Sequence, residues 1–377
     1  MRILVLIHEY PPVGGGGGRV AQDLAEGLVA RGHEVTVLTS AFDTLPKEET
    51  RNGVRIVRMP VARQEAFRAS FLSMGLYVLQ AVFQGWRLIR RERPDVIHAH
   101  FAVPAGAAAW ALSLLTGVPY VLTAHLGDVP GGTPEKTSKW FRFVYPFTPP
   151  IWKRAAQAIA VSEFTRSLAL QHYDVPIQVI HNGVDVEALR AKSIAVHSPP
   201  RLVFAGRFVP QKNPLMVVKV LSQLQDLDWH CTMLGDGPLM PQVREAIAQH
   251  GLESRFTLPG WVTPDDVLDE FERSDILFMP SRSEGLPVVG VQALAKGLAL
   301  VVGKVGGFVD LVDEGKNGFA IADPEDAPAF EDKLRALIPS PQRLAAFREA
   351  SLHKAETFAL PHIIASYEAV FRQASEV

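Results

Sequence analysis

Apolar residues in this chain come in short unbroken runs, separated by longer stretches in which they recur every three or four positions. Residues 3–7 form the first run; after a glycine-rich stretch, Val20, Leu24 and Leu28 fall at four-residue spacing until Arg31-Gly32-His33, and residues 34–39, Glu-Val-Thr-Val-Leu-Thr, read as a second strand. Runs of this kind predict strands buried on both faces, and the wider spacing predicts amphipathic helices between them. Further strands are predicted at 54–58, 96–100, 120–123 and 158–161. After Asn182-Gly183 the alternation restarts, with a strand and turn over 201–206, a helix opened by Pro214, and strands near 229–234, 256–258, 276–279, 299–302 and 318–321. The pattern predicts an α/β protein of two similar parallel-sheet domains in tandem, 1–183 and 184–359, with a cleft between them. Residues about 184–200, with Ser198-Pro199-Pro200, read as a linker. The amphipathic stretch 360–371 predicts a terminal helix, about 360–377, that packs back onto the first domain.

At 377 residues the chain exceeds one ordinary core, in keeping with two domains. Hydrophobic residues at 47% and charged residues at 21% are a soluble globular composition. The net charge of −2 is unevenly spread: residues 1–178 hold 19 Lys and Arg against 14 Asp and Glu, so the first half is basic and the second acidic. A basic first half suits an anionic partner, and a solvated surface accounts for the excess nearly as well. No nucleic-acid partner is expected. The single Cys231 excludes an intrachain disulfide and a cysteine metal cluster, and its apolar setting predicts a buried, inert thiol. The N-terminal apolar run is too short for a signal peptide and no run reaches membrane-spanning length, so a cytoplasmic protein is expected.

Open parallel sheets bind ligands beyond the carboxyl ends of their strands, so the loops there carry the chemistry. Ser281-Arg-Ser-Glu284-Gly285-Leu286-Pro287 follows one predicted strand and opens a helix with Val288, Val291 and Leu294 on its apolar side. It puts a carboxylate and unpaired backbone N–H groups at one helix N-terminus. Simple capping by Glu284 is the plainer alternative. Gly206-Arg207-Phe-Val-Pro-Gln-Lys212-Asn213 places two cations on a loop before a helix, an arrangement that suits a diphosphate; solvated surface cations are the alternative.

These two blocks, with His181-Asn-Gly-Val-Asp185 between the domains, Thr123-Ala-His125 and the glycine-rich N-terminal loop, resemble the retaining glycosyltransferases of GT-B fold (the GT4-like group). The resemblance covers essentially the whole chain. It implies two facing Rossmann-like domains, the first binding an acceptor and the second a nucleotide-sugar donor, whose closure excludes water. It implies that Arg207 and Lys212 hold the donor diphosphate, that Glu284 binds hydroxyls of the donor sugar, and that N–H groups of Gly285, Leu286 and Val288 face sugar and phosphate oxygens. Gly206 would lie in the same turn, Val262 would hold the nucleobase, and His125 would face the reacting sugar. Gly15 and Gly16 would let the N-terminal backbone approach the diphosphate and acceptor. The family usually has a glutamate eight residues after Glu284, gripping the ribose; Gln292 stands there and loses the charge-assisted strength of a carboxylate.

The activity implied is transfer of a hexosyl group with retention, from a nucleoside-diphosphate sugar, most often a UDP-sugar, to a glycan or lipid-linked acceptor in polysaccharide or glycolipid biosynthesis. No metal or other cofactor is implied, since the nucleotide sugar is a substrate and the cations take the leaving group's charge. A nucleotide-sugar epimerase on the same scaffold would need acid and base on both sugar faces, where only His125 and Glu284 are on offer. A non-catalytic sugar-nucleotide-binding partner protein is favoured by Gln292 alone. A dehydrogenase fits poorly, because the glycine run meets a loose dinucleotide pattern almost automatically and Thr39-Ser40 replaces the acid expected after the second strand.

Three features lie outside this picture. His98 and His100 share one strand face and read as polar residues lining the cleft rather than a metal pair. Asp226-Leu-Asp228 reads as an exposed turn. Residues 63–93 interleave Phe67, Phe71, Leu72, Leu76, Leu79, Val82, Phe83 and Trp86 with Arg63, Arg68, Arg87, Arg90, Arg91 and Arg93, and 136–154 is a second aromatic and basic stretch. The favoured reading is a buried helix with a solvated end; the rival is peripheral contact with an anionic membrane, on its inner face.

Overall fold

The computed structural model describes residues 1–65, 69–132 and 144–376. Two compact units divide the chain, one of Met1–Gly183 with Leu360–Val377 and one of Val184–Ala359.

The first unit is built on an eight-stranded sheet: β1 Arg2–Leu6, β2 Glu34–Ser40, β3 Glu48–Arg51, β4 Val54–Met59, β5 Val96–His100, β6 Tyr120–Ala124, β7 Gln157–Ala160 and β8 Ile177–Val179. Their order is β3-β4-β2-β1-β5-β6-β7-β8. All neighbours are parallel except β3 and β4, a hairpin turned by Asn52 and Gly53 at positive φ. Its outer strand, Glu-Glu-Thr-Arg, has no apolar pattern and is held by β4 and by Arg55–Glu48 and Arg58–Glu49 ion pairs, so hydrophobic periodicity could not announce it. Three-residue β8 escaped prediction by its shortness.

The helix Leu360–Ser375 seats Ile363, Ile364, Tyr367, Val370 and Phe371 among Ile3, Val5, Leu24 and Leu28. Gly27 makes the close approach possible: a Cβ there would lie 2.0 Å from Ile364 Cδ1. His98, expected at a cleft, is fully buried beneath this helix, beside the rings of Tyr367 and Phe371. Its Nε2 meets Thr123 Oγ1 at 2.8 Å, and that hydroxyl meets Tyr367 Oη at 3.2 Å. His98 is thus a core histidine, its Nε2 held in a side-chain relay while its Nδ1 is buried without a hydrogen-bond partner among the described residues.

The helix Phe71–Glu92 corrects a second expectation. Its inward stripe is Tyr77, Ala81, Gly85 and Ile89, while Phe71, Leu72, Leu79 and Phe83 are more than half exposed. The small residues let the helix sit close to its neighbour Ala107–Thr116, where a Cβ on Gly85 would come within 2.7 Å of Leu112, and this leaves the bulky side chains outside. Of the second aromatic stretch, Trp152 is buried against Tyr173; Lys136, Trp140, Phe141 and Phe143 lie outside the described residues, as do Phe67 and Arg68.

The second unit holds six parallel strands, β9 Arg201–Ala205, β10 His230–Leu234, β11 Phe256–Gly260, β12 Ile276–Met279, β13 Ala299–Gly303 and β14 Gly318–Ile321, in the order β11-β10-β9-β12-β13-β14. Cys231 and Met233 are buried in β10, and Asp226 is exposed and paired with Arg335. The expected linker is instead packed onto this unit. Val184 N donates to Phe358 O, Ala191 N to Ala295 O and Lys192 N to Glu272 Oε1. A buried ion pair of Asp275 and Arg348 anchors its end: Arg348 also donates to Gly297 O and Ala195 O, and Asp275 accepts from Arg201 N and His197 N. Removing one partner of such a pair leaves a buried charge uncompensated, so Arg348→Met should destabilise this unit by about 3–5 kcal/mol, read from urea unfolding of the full chain.

Candidate functional site

Each sheet reverses its strand order once, between β1 and β5 in the first unit and between β9 and β12 in the second. At such a point the loops leaving the two strands diverge, and the opening beyond their carboxyl ends is where ligands bind. Arg207, Lys212 and Glu284 lie at the β9/β12 reversal and Gly15 and Gly16 follow β1, whereas His125 follows β6 and Val262 follows the edge strand β11.

In the second unit the loop after β9 turns at Gly206, whose N donates to Leu234 O. Arg207 is exposed, and its guanidinium makes no hydrogen bond or ion pair among the described residues. The short turn Pro210–Lys212 is stitched to the loop after β12, with Arg282 N donating to Gln211 O at 2.8 Å and Gln211 Nε2 to Ser283 O at 2.9 Å. This brings Lys212 Nζ to 2.5 Å from Glu284 Oε1, with the two side chains 18% and 6% exposed. The stem of Lys212 lies 3.6 Å from where a Cβ on Gly206 would stand. Sequence reasoning placed both charges at the site without foreseeing that they pair.

Glu284 is no helix cap. The helix Val288–Ala295 starts four residues later, behind Pro287, and has no side-chain cap. The N–H of Gly290 already donates to Pro287 O, so the groups left for a ligand at the Glu284 end are those of Val288 and Val289. Leu286 is buried, Val288 is the first helical residue, and Gln292 lies one turn further along, half-buried. Val262, half-buried, follows β11 and precedes a helix capped by Thr263 and Asp266.

The Val305-Gly306-Gly307 loop after β13 was not foreseen. A Cβ on Gly306, at φ +55°, would stand 1.6 Å from Glu284 O, and Gly307 N donates to Gly285 O. These glycines hold the Glu284 backbone in place, and a Gly-Gly pair following a predicted strand was the signal available.

In the first unit the glycine-rich loop leaves β1 and the helix Gly16–Ala30 follows. A Cβ on Gly15 or Gly16 would meet nothing within 4 Å, so the backbone there is open to a ligand. Gly14 is different: at φ +99°, a Cβ would stand 2.4 Å from that of Glu9. Glu9, also unforeseen, accepts from the N–H groups of Gly15 and Gly18, and burial raises its carboxyl above the usual range.

His125 follows β6, nearly buried, with the Phe101 ring 4.4 Å from its own and His100 Nδ1 3.4 Å from its Nε2. Burial lowers it to about 4, and His8 and His98 to about 3, so all three are neutral at pH 7. His98, His100 and His125 thus form a buried histidine row rather than a charged one. Among the described residues no group of three or more His, Cys, Asp or Glu is placed to hold a metal ion.

Two α/β units with polar loops beyond the carboxyl ends of parallel strands are a construction shared by many nucleotide-binding proteins. The Glycosyltransferase Family 4 profile matches residues 14–188 and the Glycosyl transferases group 1 profile residues 185–354. The chain belongs to this glycosyltransferase family, whose members act on nucleotide sugars, and its fold is GT-B. It is 27% identical over 338 residues to an uncharacterized glycosyltransferase of Methanocaldococcus jannaschii, covering 90% of this chain and 88% of that one. Among solved structures it is similar to sucrose-phosphate synthase of Thermosynechococcus elongatus, at TM-score 0.84 and 18% identity over 99% and 98% of the two chains. It is similar also to Anabaena HepE in complex with UDP-glucose, at TM-score 0.75 and 20% identity over 98% and 99%.

Two measurements test this geometry. Gly16→Ala should leave the melting temperature unchanged or raised, since nothing opposes the methyl group and alanine favours helix, whereas Gly306→Ala should destabilise by more than about 1 kcal/mol. The buried histidines take up protons only on unfolding. Their stability is complete above pH 6.5 and is lost as pH falls toward about 4 and about 3, by up to about 1.4 kcal/mol per pH unit for each group. Glu9 works in the opposite direction as its raised carboxyl gains a proton. Thermal melts between pH 6.5 and 4 should therefore fall steeply, and a flat profile would contradict the buried row.

Proposed function

We propose that the protein is a retaining hexosyltransferase that uses a UDP-sugar and elongates a glycan or lipid-linked acceptor in polysaccharide or glycolipid biosynthesis. The observation that carries the reading is the meeting of Lys212 and Glu284 at the β9/β12 reversal, with exposed Arg207 on the same loop. Arg207 and Lys212 bind the donor diphosphate. Glu284, paired to Lys212, keeps the ammonium directed at the phosphates and accepts from hydroxyls of the donor sugar. The N–H groups of Gly285, Leu286 and Val288 face the same oxygens, Val262 holds the base, and Gln292 takes the ribose through a neutral amide.

In the transfer, the bond from the anomeric carbon to the diphosphate oxygen breaks and its electron pair leaves with the diphosphate. The cations stabilise that charge, the kind of electrostatic contribution that dominates many enzymes. The acceptor hydroxyl oxygen bonds to the same face of the anomeric carbon, and its proton passes to the departing phosphate oxygen. Neutral His125 and the open backbone of Gly15 and Gly16 serve the sugar and acceptor side. Binding of UDP-glucose by HepE supports the choice of nucleotide. A cytoplasmic enzyme at the inner membrane face suits a lipid-linked acceptor.

The test is thermal stabilisation by UDP-, GDP- and ADP-sugars, followed by NMR of the product anomer. A UDP-sugar at a hundredfold excess over its Kd should stabilise by about 2.7 kcal/mol. Arg207→Ala should abolish the shift, and Glu284→Gln should lower transfer by about a hundredfold. An equal response to all three nucleotides would remove the UDP assignment, and an inverted anomer would remove retention.

A further inference from the structure

The helix Phe71–Glu92 presents an outward face that nothing in the transfer reaction uses. Leu72, Leu79, Phe83 and Trp86 are 68%, 69%, 56% and 38% exposed. At about 100° per residue they project, together with Arg90, within an arc of roughly 60° along some 27 Å of helix. Single exposed apolar side chains are ordinary on a soluble protein; an aligned row of large ones marks an interaction surface. The adjoining helix Ala107–Thr116 carries no charged residue and also exposes Leu114 and Leu115, at 52% and 62%.

Charge identifies the partner. Arg87 lies over the Phe83 ring at 5.6 Å and Arg90 over the Trp86 ring at 5.0 Å. The helix holds one acidic residue, Glu92, which is engaged by Arg55 and Arg91. We propose that this face docks the protein on an anionic lipid bilayer, with the apolar side chains entering at headgroup depth and the arginines meeting lipid phosphates. Tryptophan at the interface, arginine heads above apolar stems and a large apolar area are what such a surface binds. Arg87 and Arg90 hold guanidinium and aromatic ring side by side, the level at which lipid phosphates and the interfacial region meet. The association is peripheral, since no helix among the described residues is long and apolar enough to cross a membrane. Docking goes beyond the transfer reading and needs neither donor nor turnover, so the two fail separately.

The experiment is flotation of the full chain with vesicles of phosphatidylcholine alone or mixed with phosphatidylglycerol. The protein should float with the anionic vesicles only, and less as salt is raised. Arg87→Glu with Arg90→Glu should weaken binding by at least roughly twenty-five-fold, at about fivefold for each arginine lost from the surface. Leu79→Ser with Phe83→Ser should also lose binding, while both variants keep the melting temperature and the donor response. Failure to float with anionic vesicles at low salt would overturn the proposal. So would equal flotation of the variants, or light scattering that shows a dimer which Leu79→Ser with Phe83→Ser dissolves.

Discussion

Parallel pairing around a reversal of strand order is the constraint on which the second unit depends. β9 pairs with β10 on one side and β12 on the other, so the loops leaving β9 and β12 start side by side and then turn apart. The polar groups beyond them belong to no ladder, and the site is made from them. The stitching of Gln211 to Ser283 and Arg282 converts two loops into one surface, and the Lys212–Glu284 pair follows from it. A carboxylate this enclosed is tolerable because the ammonium shares its enclosure.

The first unit meets the same constraint with different chemistry. Its reversal lies between β1 and β5, where the glycine-rich loop, Glu9, Phe101 and the end of the histidine row come together. The glycines are not alike. Gly14 is required by Glu9, while Gly15 and Gly16 are required by nothing else in the fold and leave backbone uncovered. Burial keeps the histidines uncharged, so this side supplies neutral hydrogen-bonding groups and apolar rings where the other supplies cations.

Much of this was legible in the chain. The strands at 276–279 and 299–302 were written as apolar runs, because strands buried on both faces are filled mainly with apolar residues. Arg207, Lys212 and Glu284 were legible as charges placed just beyond such runs. The hairpin strand Glu48–Arg51 was not, since ion pairs and a neighbouring strand hold it rather than an apolar stripe. Nor was the outward turn of Leu79 and Phe83, because periodicity shows that a helix has two faces and not which one its neighbour takes.

By itself the sequence determined the class of fold, the alternation of elements and which loops carry charge, all set by local pattern and by backbone chemistry within a few residues. Only the tertiary structure decided that Lys212 neutralises Glu284, that Gly306 wedges the backbone beneath that carboxylate, and that His98 is sealed under Tyr367. These contacts join residues 72, 22 and 269 positions apart. Their existence depends on strand order and close packing, and neither has a local signature for the chain to display.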